Sequence, residues 1–251
     1  MNNSTVKNNT GIDTAMIFAA GLGTRLKPWT DHHPKALALV NSKPLLQRNI
    51  EYLKSFGITN IVVNVHHFAN QVTQFLEQHN NFDCTIHISH EVEDALETGG
   101  GLKFAAHLLR GVPNFLVMNA DILTNLELGK MFDFHLQHKP VATLAVTNRT
   151  SSRNFLFDEH DYLCGWQNTK TGEQKISIPG RINIPKAFSG IHIMQQNIFS
   201  LMTEEGKFSI VDVYLRLAKQ YPVMGYDHSD DILVDVGKPE SIAIAEKYFS
   251  A

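Results

Sequence analysis

A glycine-rich turn near the start of the chain carries the strongest chemical signal in the sequence. An apolar run at residues 15–20 leads into Gly21 and Gly23, then Arg25, and Lys35 follows ten residues later. Backbone N–H groups at such a turn are unshielded, so that an anion can approach them closely. Arg25 and Lys35 would add two cations suited to a triphosphate or pyrophosphate. A plain strand-to-helix turn with two solvated cations is the alternative interpretation.

Two better-known phosphate motifs do not fit this turn. A dinucleotide-binding fingerprint needs a third glycine that opens a helix, but Leu26 stands at that position and Pro28 follows. A Walker A loop ends in Gly-Lys and then Ser or Thr, which this turn lacks. The sequence therefore predicts a phosphate site of another construction and speaks against a Rossmann oxidoreductase.

Two aspartates stand at the ends of apolar runs. Asp121 follows the run at residues 115–118, and Asp235 lies at the end of the run that begins at residue 232. Open α/β sheets bind ligands at the carboxyl ends of their strands. Carboxylate oxygens suit Mg²⁺, and two from separate strand ends could share one ion. Each aspartate could instead cap the helix that follows it.

Three consecutive glycines form a third signal. They follow Glu97 and Thr98 and precede a predicted helix at residues 102–109. Glycine is a poor start for a helix unless something lies flat against the backbone. A nucleoside base and ribose packed on Gly99 and Gly100 would provide that reason, and a flexible hinge is the equal alternative.

Composition excludes several classes of function. The chain has 251 residues, 43% of them hydrophobic, and a net charge of −3, which disfavours a nucleic-acid footprint. The two cysteines do not indicate a disulfide framework. Histidines such as His66 and His67 have no cysteine or carboxylate at the spacing of a zinc site. No apolar run reaches the ~18 residues of a membrane span. Residues 1–13 lack the apolar segment of a signal peptide and are predicted to be a disordered leader, so a cytoplasmic protein is expected.

The periodicity of the apolar residues predicts alternating strands and helices. The predicted strands are 15–20, 61–65, 84–88, 115–118, 141–146, 188–194 and 232–236. The predicted helices are 44–56, 67–79, 102–109, 125–138, 209–219 and 239–249. Strands separated by helices imply right-handed crossovers and an α/β fold with a doubly wound, mainly parallel sheet. Residues 148–186 are polar and turn-rich, and they predict a small antiparallel insertion on the rim of a single domain at 14–251.

Taken together and in this order, the motifs resemble the sugar-1-phosphate nucleotidylyltransferases. The resemblance begins near Thr14 and covers nearly the whole chain. It implies a Rossmann-like, GT-A-like nucleotidyltransferase fold with the 148–186 insertion as a lid for the sugar phosphate. Within the family, the segment from Glu97 to Gly101 is most similar to N-acetylmuramate-1-phosphate uridylyltransferases of cell-wall recycling. Mannose-1-phosphate guanylyltransferases, which use GTP, are similar in pattern too.

The resemblance also implies roles for individual residues. The expected nucleotide-binding residues are Ala20, Gly21, Gly23, Thr24, Arg25, Lys35, Thr98, Gly99 and Gly100. Asn119 and Gly190 are expected to contact the sugar 1-phosphate, Asp121 and Asp235 to hold Mg²⁺, and Arg25, Lys35 and Asp121 to act in catalysis. The expected partners are a nucleoside triphosphate, with UTP favoured, and a sugar 1-phosphate, without nucleic acid or membrane. A non-catalytic regulator that binds the same ligands is the alternative from another class.

Overall fold

Ten strands form one mixed sheet through the centre of the molecule, and two short two-stranded sheets lie beside it. The structure is a computed structural model that describes residues 11–250. The strands are β1 (Thr14–Phe18), β2 (Leu39–Val40), β3 (Lys43–Pro44), β4 (Asn60–Val65), β5 (Thr85–His90), β6 (Asn114–Asn119), β7 (Ile122–Thr124), β8 (Ala142–Thr147), β9 (Arg153–Phe157), β10 (Leu163–Asn168), β11 (Glu173–Ile176), β12 (Ile184–Gln195), β13 (Val223–Asp227) and β14 (Leu233–Asp235).

Helices cover both faces of this sheet. They are α1 (Leu45–Ser55), α2 (Ala69–Gln78), α3 (Glu97–Phe104), α4 (Leu128–His138), α5 (Ile198–Leu201), α6 (Ile210–Leu217) and α7 (Pro239–Tyr248). Short 3-10 helices occur at Thr24–Leu26, Trp29–Asp31, Lys35–Leu37, Asn80–Asp83 and Ala105–Leu109. None of the helices within residues 11–250 is long and apolar enough to cross a membrane.

The main path of the sheet has the order β11-β10-β9-β12-β6-β1-β4-β5, with β8 paired to β12 and β13 paired to β8. Strands β6, β1, β4 and β5 are parallel, so that their carboxyl ends meet at one edge. Strand β12 runs antiparallel to β6. The predicted α/β fold with a parallel core is confirmed, and this core is the part of the sheet that carries the site described below.

Alternate side chains of β1 enter two separate cores, as the two-residue period of a strand requires. Ile17 packs in the core under α1, α2 and α4, whereas Met16 packs in the core under α3 and α6. Strand β4 is almost continuously apolar because both of its faces are covered. The sequence of α1 has the matching helical period, since its apolar positions fall on one buried face.

The predicted insertion on the rim is antiparallel in the structure. Strands β9, β10 and β11 pair with one another in antiparallel fashion, and β9 also pairs with the beginning of β12. They extend the main sheet beyond β12. No residue of this insertion lines the cavity described below, so its role as a lid for the sugar phosphate stays a prediction.

The structure differs from the predicted element boundaries at several places. The helix expected at 102–109 begins at Glu97, and its last residues form a 3-10 helix, so the three glycines lie inside helix α3. Residues 122–124 form the short strand β7, which pairs with β14, a tertiary contact that local periodicity does not report. Of the predicted leader, residues 1–10 lie outside the described residues, whereas Ile12 is buried in the core because its side chain is apolar.

Two buried histidines make the free energy of unfolding depend on pH. Burial lowers the pKa of His135 from 6.5 to about 4 and that of His192 from 6.5 to about 3. Both rings bind a proton in the unfolded chain below about pH 6.5, but stay neutral in the folded protein down to their lower pKa values. Acid therefore favours the unfolded chain, and stability is lost as pH falls below 6.5.

We predict that replacing His192 by Phe reduces this pH dependence. Between pH 7 and pH 5, the free energy of unfolding should fall by about 2 kcal/mol less in the variant than in the wild type. Phe cannot bind a proton, and the loss of the hydrogen bond with Tyr214 lowers stability similarly at both pH values. Urea unfolding at the two pH values measures this. An equal fall in both proteins would contradict it, and the exposed His138→Gln variant is the control.

Candidate active site

A cavity of about 440 Å³ opens at the carboxyl ends of the parallel strands. Strands β6, β1, β4 and β5 each contribute to it through their last residues or the residues that follow them. Its wall consists of Phe18, Ala19, Ala20, Gly21, Leu22, Gly23, Thr24, Arg25, Lys35, Ala36, Asn64, Glu91, Ala95, Glu97, Thr98, Asn119, Ala120, Asp121, Lys207 and Gly237. This is the edge of an open α/β sheet at which ligands bind.

The glycine-rich turn after β1 forms one side of the cavity. Gly23 has a φ of 62°, and a Cβ there would come within 2.9 Å of both the Lys35 Cβ and the Thr30 Cγ2. The Thr30 hydroxyl donates to the Gly23 carbonyl at 2.9 Å. Gly21 has no heavy atom within 4 Å of where a Cβ would lie, so its side of the backbone is open. The turn therefore presents bare backbone to the cavity.

Lys35 and Asp121 lie together in this wall. The Lys35 ammonium donates to the Asp121 Oδ2 in an ion pair, and both side chains are largely buried. The sequence places these residues 86 positions apart, and no spacing rule connects them. The pair joins the glycine-rich turn to the residue that follows β6.

Asp235 lies on the neighbouring strand pair. Strand β14 pairs with β7 so that Asp235 stands opposite Ile122, and the Val236 N–H donates to the Asp121 carbonyl at 2.8 Å. The Asp235 Oδ1 is buried without a hydrogen-bond partner. A buried carboxylate oxygen without a donor is costly unless a cation or a water satisfies it. The carboxylate oxygens of Asp121 and Asp235 are therefore suitable ligands for a hard divalent cation such as Mg²⁺.

Two carboxylates are too few to enclose such an ion. Within residues 11–250 no group of three or more His, Cys, Asp or Glu side chains could hold a metal. Mg²⁺ is commonly held by one or two carboxylates together with substrate phosphates and water. The arrangement thus fits an ion that arrives with a phosphate ligand.

Gly237 explains how Arg25 is held close to Asp235. A Cβ on Gly237 would lie 2.5 Å from the Arg25 Nη2 and 2.9 Å from its Cζ. It would also lie 2.7 Å from the Asp235 Oδ1. The guanidinium therefore packs directly on the backbone that follows β14. The glycine is required here by contact, not by backbone conformation.

Asn119 lines the cavity, whereas Gly190 lies behind it. Gly190 has a φ of 74° at an irregularity in β12, and a Cβ there would come within 2.6 Å of the Asn119 Nδ2. Gly190 does not line the cavity. The structure therefore brings the two predicted sugar-phosphate residues together, with Asn119 facing the cavity and Gly190 giving its amide room.

Gly99 and Gly100 do not line the cavity, although Thr98 does. Both glycines are buried, and their N–H groups donate to the Phe208 carbonyl at 2.9 and 3.2 Å. Those donors are satisfied within the protein. Another segment of the chain therefore lies against these glycines, and their role in binding the nucleotide stays a prediction.

Four polar residues of the wall were not predicted from the sequence, namely Asn64, Glu91, Glu97 and Lys207. Glu91 is buried; its Oε1 accepts from the Asn64 side chain and its Oε2 from the Leu96 N–H, both at 2.8 Å. Asn64 and Glu91 lie near the carboxyl ends of β4 and β5, so the rule that selected Asp121 would have found them. Lys207 comes from a distant segment, and no local pattern indicates it.

The chain is similar in sequence to known nucleotidyltransferases. A family model described as "Nucleotidyl transferase" matches residues 14–157. The chain is 32% identical over 245 residues to an N-acetylmuramate alpha-1-phosphate uridylyltransferase from Caulobacter vibrioides, with 92% of this chain and 95% of the relative covered. It is 27% identical to a probable mannose-1-phosphate guanylyltransferase from Oryza sativa, with 90% of this chain and 61% of the relative covered.

Solved structures share this fold. HddC from Yersinia pseudotuberculosis, solved in complex with GMP-PN, superposes with a TM-score of 0.75 and 22% identity, covering 95% of this chain and 100% of that chain. A putative glucose-1-phosphate thymidylyltransferase from Bacillus anthracis superposes with a TM-score of 0.76 and 18% identity, covering 95% and 97% of the two chains. At these identities the structures support the fold alone.

We predict that Gly237→Ala weakens binding of a nucleoside triphosphate, probed with UTP and GTP in the presence of Mg²⁺, by about tenfold or more. The new methyl group would displace the Arg25 guanidinium from its position. Calorimetric titration measures the affinity. In an Arg25→Ala background the same substitution should cost much less, since the contact is already gone. Additive losses would contradict the account. Gly129→Ala, on α4 and outside the cavity wall, is the matched control.

Proposed function

This chain belongs to the nucleotidyl transferase family, and we propose that it transfers a nucleotidyl group from a nucleoside triphosphate to a sugar 1-phosphate, releasing pyrophosphate. The observation that carries the proposal is the cavity itself. It gathers the glycine-rich turn, Lys35, Asn119 and Asp121 at one sheet edge. We further propose UTP and N-acetylmuramate 1-phosphate as substrates, on the strength of the relative that matches almost the whole length of both chains.

The reaction requires no protein nucleophile. A phosphate oxygen of the sugar 1-phosphate attacks the α-phosphorus in line, and the bond from that phosphorus to the α–β bridging oxygen breaks. The attacking oxygen of the sugar 1-phosphate is already anionic at neutral pH, because the second pKa of a phosphate monoester is about 6. No general base is therefore needed. The task of the protein is to position two anions and to reduce their repulsion.

The residues of the wall divide this task. Arg25 and the open backbone of Gly21 bind triphosphate oxygens, and Lys35 donates to the phosphates and to Asp121. Asn119 donates its amide to the sugar phosphate and orients the attacking oxygen. Asp121 and Asp235 would hold Mg²⁺, which supplies positive charge to the phosphate oxygens when bound.

A guanylyltransferase acting on mannose 1-phosphate is the second candidate. It is favoured by the rice relative and others with the same activity in their names, although the chain spans only about three fifths of that relative's length. A regulator that binds without catalysis is the candidate from another class. Retention of two carboxylates suited to a metal argues for catalysis, because ligand binding alone does not need them.

A matrix of substrates tests the proposed function. Purified protein is incubated with Mg²⁺, pyrophosphatase and each pairing of UTP, GTP, dTTP, CTP or ATP with muramate-, glucosamine-, glucose- or mannose-type 1-phosphates, and phosphate release is measured. We expect the highest rate with UTP and N-acetylmuramate 1-phosphate. A higher rate with GTP and mannose 1-phosphate would favour the second candidate. Triphosphate binding without release in any pairing would favour the regulator.

We predict that Asp121→Asn lowers the rate of transfer by about 10² to 10³, the usual effect of losing one preorganised electrostatic group. The amide keeps the size of the side chain but not the charge that pairs with Lys35 and attracts the cation. Turnover at saturating substrate and varied Mg²⁺ measures the effect. The exposed Asp83→Asn variant is the control. Wild-type turnover by Asp121→Asn at saturating Mg²⁺ would contradict the assigned role.

A further inference from the structure

Lys207 is a cation of the cavity wall that the motifs do not include. It lies in residues 204–208, which we call the strap, between α5 and α6. The residue is exposed and lines the cavity together with Glu97 and Thr98. Among the residues that the structure describes, its ammonium has neither a hydrogen bond nor an ion pair, so it is available to a ligand.

The strap is fixed against the beginning of α3. The Phe208 N–H donates to the Leu96 carbonyl at 3.2 Å, and the Phe208 carbonyl accepts from the Gly99 N–H at 2.9 Å. At the other end of the strap, the Lys103 ammonium donates to the Glu204 carbonyl at 2.5 Å. These contacts hold the backbone on both sides of Lys207. Lys207 therefore lines the cavity from a segment that hydrogen bonds fix at both ends.

Close packing of the strap accounts for the consecutive glycines of α3. A Cβ on Gly100 would lie 2.3 Å from the Gly206 carbonyl oxygen, and one on Gly99 would lie 2.4 Å from the Phe208 ring. Any larger residue at either position would push the strap away from the helix. The glycines therefore let the strap pack closely enough on α3 for Lys207 to line the cavity.

The topology places Lys207 on the side of the cavity away from Asn119. Asn119 and Gly190 stand at β6 and β12, on one side of β1, whereas the strap packs on residues that follow β5, on the other side. The sugar phosphate is assigned to Asn119. If the sugar phosphate binds at Asn119, the turn after β1 and the β5 side, where Lys207 lies, remain for the nucleotide.

The cations and carboxylates of the wall show which positive charges are free to bind a ligand. The wall holds three cations, Arg25, Lys35 and Lys207, against the carboxylates of Glu91, Glu97 and Asp121. Lys35 is paired with Asp121. In the described part of the chain, Arg25 and Lys207 are the cations of the wall that pair with no carboxylate. A polyanionic ligand therefore has two free cations to bind.

We propose that Lys207 binds anionic phosphate oxygens of the nucleoside triphosphate, as a third cation beside Arg25 and Lys35. The inference rests on the proposed function and deepens it by assigning a residue outside the family motifs to the nucleotide. Lysine suits this role because its ammonium is a compact charge on a long, flexible stem. It contacts the nucleotide and not the sugar phosphate.

Calorimetric titration with UTP and Mg²⁺ tests the proposal, with GTP as a second probe. Lys207→Gln should weaken triphosphate binding about tenfold, as expected for loss of one charged contact, whereas Lys207→Arg should stay within about threefold of the wild type. The affinity of Lys207→Gln should also fall less steeply with salt, because one ion pair is gone. The exposed Lys219→Gln variant should match the wild type.

Steady-state kinetics separates the two substrates. The KM for the triphosphate should rise in Lys207→Gln while the KM for the sugar 1-phosphate stays unchanged. Equal triphosphate affinity in wild type and Lys207→Gln, or a rise confined to the sugar phosphate, would overturn the role of Lys207 and leave the proposed function standing. A wild-type protein that binds neither UTP nor GTP would overturn both.

Discussion

The ion pair between Lys35 and Asp121 joins the two parts from which the cavity is made. Lys35 follows the glycine-rich turn, and Asp121 follows the neighbouring strand β6, so the pair fixes the turn to the strand end. Two largely buried charges of opposite sign stabilise each other, and removal of one leaves the other without compensation. A bound phosphate and its cation would share the same two charges.

Three glycines stand where two segments of the site approach each other more closely than a side chain would allow. Gly23 leaves room for Lys35, Gly237 for Arg25, and Gly190 for the Asn119 amide. Each of these contacts joins segments that are separate in the sequence. A site that must bind two anions needs its cations and donors held at fixed positions, since little covalent chemistry is left to the protein. The close backbone contacts provide that rigidity.

The sequence predicted the parallel core and the turn well because both depend on local pattern. Strand β4 is a run of apolar residues, and a glycine turn after a strand is visible in a few letters. The sequence did not predict the features that depend on a tertiary contact. Gly99 and Gly100 pack on a strap more than a hundred positions later, and Lys207 reaches the cavity only through that packing. Asp235 was found because it ends an apolar run, but only the fold shows that its strand pairs with β7 outside the main sheet and that its Oδ1 has no hydrogen-bond partner.

The central claim is that the sugar phosphate attacks the α-phosphorus directly, without a covalent intermediate on the protein. The stereochemical course at that phosphorus tests this claim. The protein is supplied with one diastereomer of UTPαS and its sugar 1-phosphate, and the configuration of the sulfur-bearing phosphorus in the product is determined by ³¹P NMR. A single in-line displacement predicts inversion. Retention would require two displacements and hence a nucleophilic side chain, and it would contradict the account.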